Sequence, residues 1–286
     1  VSILLARRQA IAALVGGLTA AMLPRQAFAS PLEKVRALGL LKVAVYKDFE
    51  PWSWKQDGVI VGIDVDLAKA MAEAIGVRAE VQEFLAGDEL ADDLRNMVWR
   101  GTVVQGQPAD VMMHVPVDRK LAIDNDRAVI LAPYYRESFG MACNRDTTEC
   151  EVPPPQLKGK RLVVEIASIP DLYLTGGFGG ALRNDVRHVD TGSQAVAAVA
   201  SGDADATVAT VAQIEHGTKP DGRIVRRKSG VPLIGNPGWN VGIAVKDDSH
   251  DLGDELEKVI GVLASNGKLN AIFAKYGVSP RAPVLG

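Results

Sequence analysis

Residues 41–76 read LKVAVYKDFEPWSWKQDGVIVGIDVDLAKAMAEAIG. Leu41 to Tyr46 is a short apolar run that stops at charged residues, the pattern of a buried strand. Asp64 is expected to cap the helix that follows, whose Val65, Leu67, Ala68, Met71, Ala72 and Ile75 share one face before Gly76 ends it. VRAEVQEF (77–84) then reads as a second strand. Strand, helix and strand in succession predict an α/β protein with a largely parallel sheet.

The same alternation extends along the chain. ADDLRNMVWRG (91–101) has helical spacing, ADVMMHV (109–115) reads as a strand, and LAPYYRESFGMAC (131–143) as an extended segment. After Pro153-Pro154-Pro155 the pattern restarts, with KRLVVEIAS (160–168) as a strand, SQAVAAVASG (193–202) as a helix capped by Ser193, and DATVAT (205–210) as a strand. Gly106-Gln107-Pro108-Ala109-Asp110-Val111 and Gly202-Asp203-Ala204-Asp205-Ala206 each follow a helix, a weak internal repeat that suggests two similar lobes. WNVGIAVK (239–246) is a last strand, and a helical region from about Leu252 to Tyr276 breaks near Asn266-Gly267.

Residues 1–29 have the form of a secretory signal peptide, with a basic start, an apolar run from Ala10 to Leu23, and Ala27-Phe28-Ala29 before Ser30. That run is shorter than the roughly 20 residues a membrane span needs, so a mature chain beginning at Ser30, with no span, is expected in the periplasm. Arg7-Arg8 fits either the general or the twin-arginine export route. Removing Arg7, Arg8 and Arg25 leaves 29 basic against 35 acidic residues, a net charge of −6 that suits neither nucleic acid nor anionic lipid. In an oxidising compartment the two cysteines, Cys143 and Cys150, are expected to form a local disulfide.

Eight phrases in order, LKVAVYKDFEPWSW, GVIVGIDVDLAKAMAEAIG, PADVMMH…DRKLAID, APYY, LKGKRLVVEIAS, SGDADATVA, GIAVK and SNGKLNAIFAKYGV, resemble the bacterial periplasmic solute-binding proteins of the amino-acid-receptor type, family 3. The resemblance implies the two-lobed type II periplasmic-binding-protein fold, with two hinge crossings and a ligand cleft between the lobes. It divides the mature chain into a first lobe of 30–138 and 239–286 and a second of 139–238. The crossings are expected near Glu137–Phe139 and Asn236–Gly238.

In such receptors the arginine of the Asp-Arg-Lys phrase holds the ligand's carboxylate, and Val117-Asp118-Arg119-Lys120 matches it. A guanidinium can clasp a carboxylate at two points; a surface pair with Asp118, Asp124 or Asp126 is the alternative. The rest of an amino-acid site is altered. Thr210 stands where the resemblance implies an aspartate for the ammonium group, Ala167-Ser168-Ile169 keeps only Ser168 of the hydroxyl loop, and His114 replaces a small residue. Phe49, Trp52 and Trp54 follow the first strand and could line the cleft or fill a core.

The wording NMVWRG…ADVMMHVPVD…APYYRE further resembles the MoxJ/XoxJ-type branch associated with quinoprotein methanol dehydrogenases. That resemblance implies a non-catalytic accessory or maturation factor, with a pyrroloquinoline-quinone (PQQ) methanol dehydrogenase and its cytochrome as partners. The alternative is an ABC-importer receptor for a small carboxylate-bearing solute, with a permease as partner. No cofactor or metal is expected: G-x-S-x-G and H-E-x-x-H are absent, TGGFGGALR (175–183) lacks the lysine of a phosphate loop, and the four histidines are scattered singly.

Overall fold

The computed structural model describes residues 30–102, 106–219, 222–232, 234 and 238–284; the expected signal peptide lies outside them. The first lobe opens with α1 (Pro31–Leu38), β1 (Leu40–Tyr46) and a hairpin of β2 (Trp54–Gln56) and β3 (Val59–Val61). It continues through α2 (Ile63–Ala74), β4 (Arg78–Phe84), α3 (Leu90–Leu94), β5 (Val111–Pro116), α4 (Arg119–Asp124) and β6 (Ala128–Glu137). The second lobe carries β7 (Phe139–Asn144), β8 (Leu162–Glu165), α5 (Ile169–Gly176), β9 (Val186–Val189), α6 (Gly192–Ser201), β10 (Ala206–Thr210), α7 (Val211–Gly217) and β11 (Ile224–Arg226). The chain then returns through β12 (Trp239–Lys246), α8 (His250–Ser265) and α9 (Lys268–Lys275).

Two five-stranded sheets result, in the orders β4-β1-β5-β12-β6 and β11-β7-β10-β8-β9. β1 runs parallel to β4 and β5, whereas β12 lies antiparallel between β5 and β6. Leu41, Val43 and Val45 of β1 meet Leu67 and Met71 of α2 on one face, joined by Leu252, Leu256 and Phe273 from the returning helices. Ala44 and Met112 face the other way, onto Leu94 and Met97. Period-2 alternation on a strand against period-3.6 faces on its helices is what fills both sides of the sheet. In the second lobe Met141, Leu162, Val164 and Val208 make one core with Tyr173 and Leu174, and Val163 makes another with Val196, Val199 and Ile214.

The first crossing takes a single residue, Ser138, between β6 and β7. At the second, Asn236 and Pro237 lie outside the described residues, but Gly238 adopts φ +111°, and a Cβ there would stand 2.3 Å from the Glu137 carbonyl oxygen. The two passages therefore run against each other, and only glycine permits that approach. Phe139 and Trp239 pack beside them, rings tilted at 50° with centroids 5.0 Å apart.

Several local expectations change. Gly62 precedes α2 at its N-cap, and Asp64 is a buried member of the first turn. Thr191, not Ser193, caps α6 by accepting the Gln194 N–H at 3.2 Å. The helix expected over 91–101 is α3 followed by a π-helical turn, Arg95–Arg100. The helical break comes where expected, at Asn266-Gly267 between α8 and α9. Cys143 and Cys150 are bonded, with Cα atoms 5.6 Å apart. Among the described residues no helix is long and apolar enough to cross a membrane.

Candidate functional site at the interlobe cleft

β1, β4, β5 and β6 all end at one edge of the first sheet, where β12 begins, and β8, β9 and β10 end at the corresponding edge of the second, where β7 begins. The crossing joins these two edges, so they face each other. The segments that follow those strands line the space between the lobes, the usual position of a ligand in open α/β sheets.

Arg119 opens α4 just after β5 and is exposed. Asp118 is occupied as the α4 cap, accepting the Leu121 N–H at 2.8 Å, and Asp124 pairs with Lys120. No ion pair or hydrogen bond engages the Arg119 side chain among the described residues, so its guanidinium is available to an anion.

Thr210 caps α7 in a reciprocal arrangement: its hydroxyl accepts the Gln213 N–H at 3.3 Å, and Gln213 Oε1 accepts the Thr210 N–H at 3.1 Å. Beside it stands an acid that the sequence reading passed over. Glu137, the last residue of β6, has 0% exposure. Its Oε1 accepts the Ser138 N–H at 2.8 Å, while Oε2 has no hydrogen bond of normal geometry. Burial raises the Glu137 pKa to about 7; the Ser138 and Ala212 amides, the Arg281 charge and the Thr210 hydroxyl oppose that rise without cancelling it.

Ser168 caps α5, accepting the Asp171 N–H at 3.1 Å and donating to the Glu165 carbonyl at 2.7 Å. Ala167 before it takes the left-handed φ of +57°. The hydroxyl is thus already committed to the turn.

His114 is buried on β5 at φ +61°. Its Nδ1 lies 3.2 Å from Asp64 Oδ2, and its N–H donates to the Tyr134 hydroxyl at 3.2 Å, which in turn donates to Asp64 Oδ1 at 2.6 Å. Phe49 meets the His114 ring edge-on at 4.8 Å, and Trp52 covers it at 4.4 Å. Trp52 is itself 0% exposed, against Tyr135 at 5.0 Å and Phe273 at 6.2 Å. It is a core residue of the first lobe and not part of the cleft wall. Its bulk explains the difference: an indole in the loop between β1 and β2 fills the gap between the sheet and α9. Phe49, half-buried, stays at the edge.

The structure therefore brings Phe49 and Trp52 together around His114, which faces Asp64, and leaves Arg119 apart. Large apolar side chains stand exposed after the strand ends: Leu85 beyond β4, Ile123 on α4, and Ile166, Ile169 and Leu172 around the start of α5, Leu172 at 71% exposure. No group of three His, Cys, Asp or Glu side chains able to hold a metal occurs among the described residues.

Residues 41–99 match the family described as bacterial extracellular solute-binding proteins, family 3. Among solved structures, an ancestral cationic amino acid solute-binding protein, AncCDT-1, superposes with a TM-score of 0.68 at 18% identity over 87% of this chain and 100% of its own. Another structure of that ancestor describes it as a precursor of cyclohexadienyl dehydratase. An amino acid ABC transporter substrate-binding protein from Streptococcus pneumoniae Canada MDR_19A, bound to L-arginine, gives 0.64 at 19% over 88% of this chain and 100% of its own. A mutant of ArgBP from T. maritima gives 0.59 at 23% over 86% and 98%. These likenesses establish the two-lobed type II fold. No curated protein matches the chain in sequence.

Proposed function

We propose that this chain is a family 3 solute-binding protein of the periplasm that takes a small carboxylate-bearing solute between its lobes and delivers it to an ABC permease. The observation that carries the reading is Arg119, a guanidinium beside the cleft with no side-chain partner among the described residues, while Asp118 and Asp124 beside it are engaged elsewhere. A two-point pair with a carboxylate is the interaction such a group makes best, each charge-assisted bond contributing about 1.5–3 kcal/mol. The family match and the permease-linked neighbours support the same reading. Thr210 offers no charge to an ammonium group, and Glu137 beside it has no exposed surface, so a carboxylate without an α-ammonium group suits the site better than a standard amino acid.

The role is binding and not catalysis. Glu137, the acid poised near neutrality, is sealed from any substrate proton. Calorimetric titration with simple carboxylates and with α-amino acids tests the reading. Micromolar binding of a carboxylate that disappears in Arg119→Gln supports it, and equally tight binding of α-amino acids overturns the solute class.

A second reading has one observation in its favour. The exposed Ile166, Ile169 and Leu172, facing a lobe that exposes Leu85 and Ile123, would suit a polypeptide segment better than a small anion. That fits an accessory factor for a PQQ methanol dehydrogenase. Loss of methanol growth in a deletion strain with all solute uptake intact would favour it over the importer receptor.

A further inference from the structure

The lobes touch at Glu50, in the loop after β1, and at the C-terminal tail, where Glu215 of α7 pairs with Arg281 and accepts the Ser279 N–H at 2.9 Å. Ser193 Oγ, near the start of α6, donates to the Glu50 carbonyl at 2.6 Å. His216, near the end of α7, places Nε2 2.9 Å from Glu50 Oε1 and Nδ1 2.6 Å from the Tyr276 carbonyl oxygen. One imidazole from the second lobe therefore spans two acceptors on the first.

Those partners determine the proton count. A carbonyl oxygen can only accept, so Nδ1 must carry a hydrogen. A carboxylate can only accept as well, so Nε2 must carry another, or the carboxyl must lend its own. Either way the contact holds one proton more than a neutral imidazole facing a carboxylate. Without it, two lone pairs oppose each other at 2.9 Å. We propose that His216 and Glu50 form a proton-dependent latch that joins the cleft edges of the two lobes when protonated and releases them when the proton leaves.

The other charges around this pair have partners of their own, and those partners do not change charge between about pH 5.5 and 8.5. On α7, Glu215 is held by Arg226 of β11 at 2.9 Å and by Arg281 of the C-terminal tail. On α9, Lys275 pairs with Asp66, whose carboxylate also accepts the Tyr276 hydroxyl at 2.8 Å. The Trp54 ring lies edge-on to the imidazole at 5.6 Å. Glu50 is the acid that faces it, and its hydrogen bond, helped by the Tyr276 carbonyl, raises the His216 pKa against the opposing effect of burial. The latch is thus engaged at acid pH and lost as pH rises through a value above that of a free histidine.

The inference rests on the cleft being the working site of the receptor, but its test needs no solute. Spin labels at Lys69→Cys on α2 and Lys158→Cys in the second lobe would report the interlobe distance by pulsed electron resonance, in ligand-free protein from about pH 5.5 to 8.5. The wild type is expected to move from a short to a longer distance as pH rises. Glu50→Gln should abolish that change and keep the short distance throughout, because an amide can donate to a neutral Nε2. His216→Ala should keep the long distance throughout. An unchanged wild-type distance across the range overturns the latch. So does a transition that survives in Glu50→Gln, which would assign the motion to Glu137, still present in that variant and titrating in the same range.

Discussion

The Tyr134 hydroxyl donates to Asp64 Oδ1 at 2.6 Å and at the same time accepts the His114 N–H at 3.2 Å. One phenol thus satisfies a buried carboxylate on α2 and a backbone amide on β5, at a point where β5 takes a left-handed turn. Tyr134→Phe leaves both groups without that partner. Orphaning a buried amide and removing a hydrogen bond from a buried charge cost roughly 1–3 kcal/mol each. A loss of about 2–4 kcal/mol in urea unfolding is expected; a loss under about 0.5 kcal/mol would show that the hydroxyl is not needed there.

Glu137 gives the protein a pH-dependent stability with a defined sign. Its folded pKa, about 7, lies above the ordinary 4.5, so the folded state holds the proton more tightly. The contribution is fully present below the ordinary value and is lost as pH rises through the folded one, about 3 kcal/mol in all. Unfolding free energies at pH 5 and 8 should show this fall in the wild type, and a much smaller one in Glu137→Gln. The variant should equal or exceed the wild type at pH 8.

Thr210→Asp is expected to behave differently from a simple restoration of an ammonium partner. Aspartate caps helices as well as threonine does, so α7 should survive the change at acid pH. Above neutrality its charge would stand beside the ionised Glu137, and like charges at such a distance oppose each other. Thermal scans should show the variant close to the wild type near pH 5 and clearly below it near pH 8. Affinity for α-amino acids should rise little, because His114 and Ser168 keep their present partners.

Reduction of Cys143–Cys150 should destabilise the second lobe without unfolding it. The bridge closes a short loop across a sequence separation of 7, and the chain-entropy model gives about 2.5 kcal/mol for a loop of that size. Denaturation with and without reductant should differ by about that amount. Both cysteines should resist alkylation before reduction.

The sheet-forming segments were legible because apolar alternation and helical spacing act over ten residues or more. Val43 and Met71 declare themselves in any window that includes them. The cleft was harder to read. Arg119 was singled out by the Asp-Arg-Lys phrase of the family resemblance, and the sequence left open whether it pairs with its neighbouring acids instead. Trp52 and Phe49 look alike in sequence, three residues apart; what makes one of them core is packing against Tyr135 and Phe273, both far along the chain. Glu137 and His216 were passed over because their partners lie far away in sequence: the Ala212 amide, the Glu50 carboxyl and the Tyr276 carbonyl. The adjacent charges Arg136 and Glu137 inside YYRESF were the one local sign.

β12 occupies the place between β5 and β6, yet it is made more than a hundred residues after them. During synthesis the first sheet must therefore wait with an open slot, its two flanking strands unable to join, until residue 246 has left the ribosome. The second lobe needs nothing beyond β11 and can close first. A nascent chain stopped at Gly238 should accordingly protect amides of β7 and β10 from exchange while those of β6 stay open. That delay keeps the first lobe unclosed until β12, some hundred residues beyond β6, has been made.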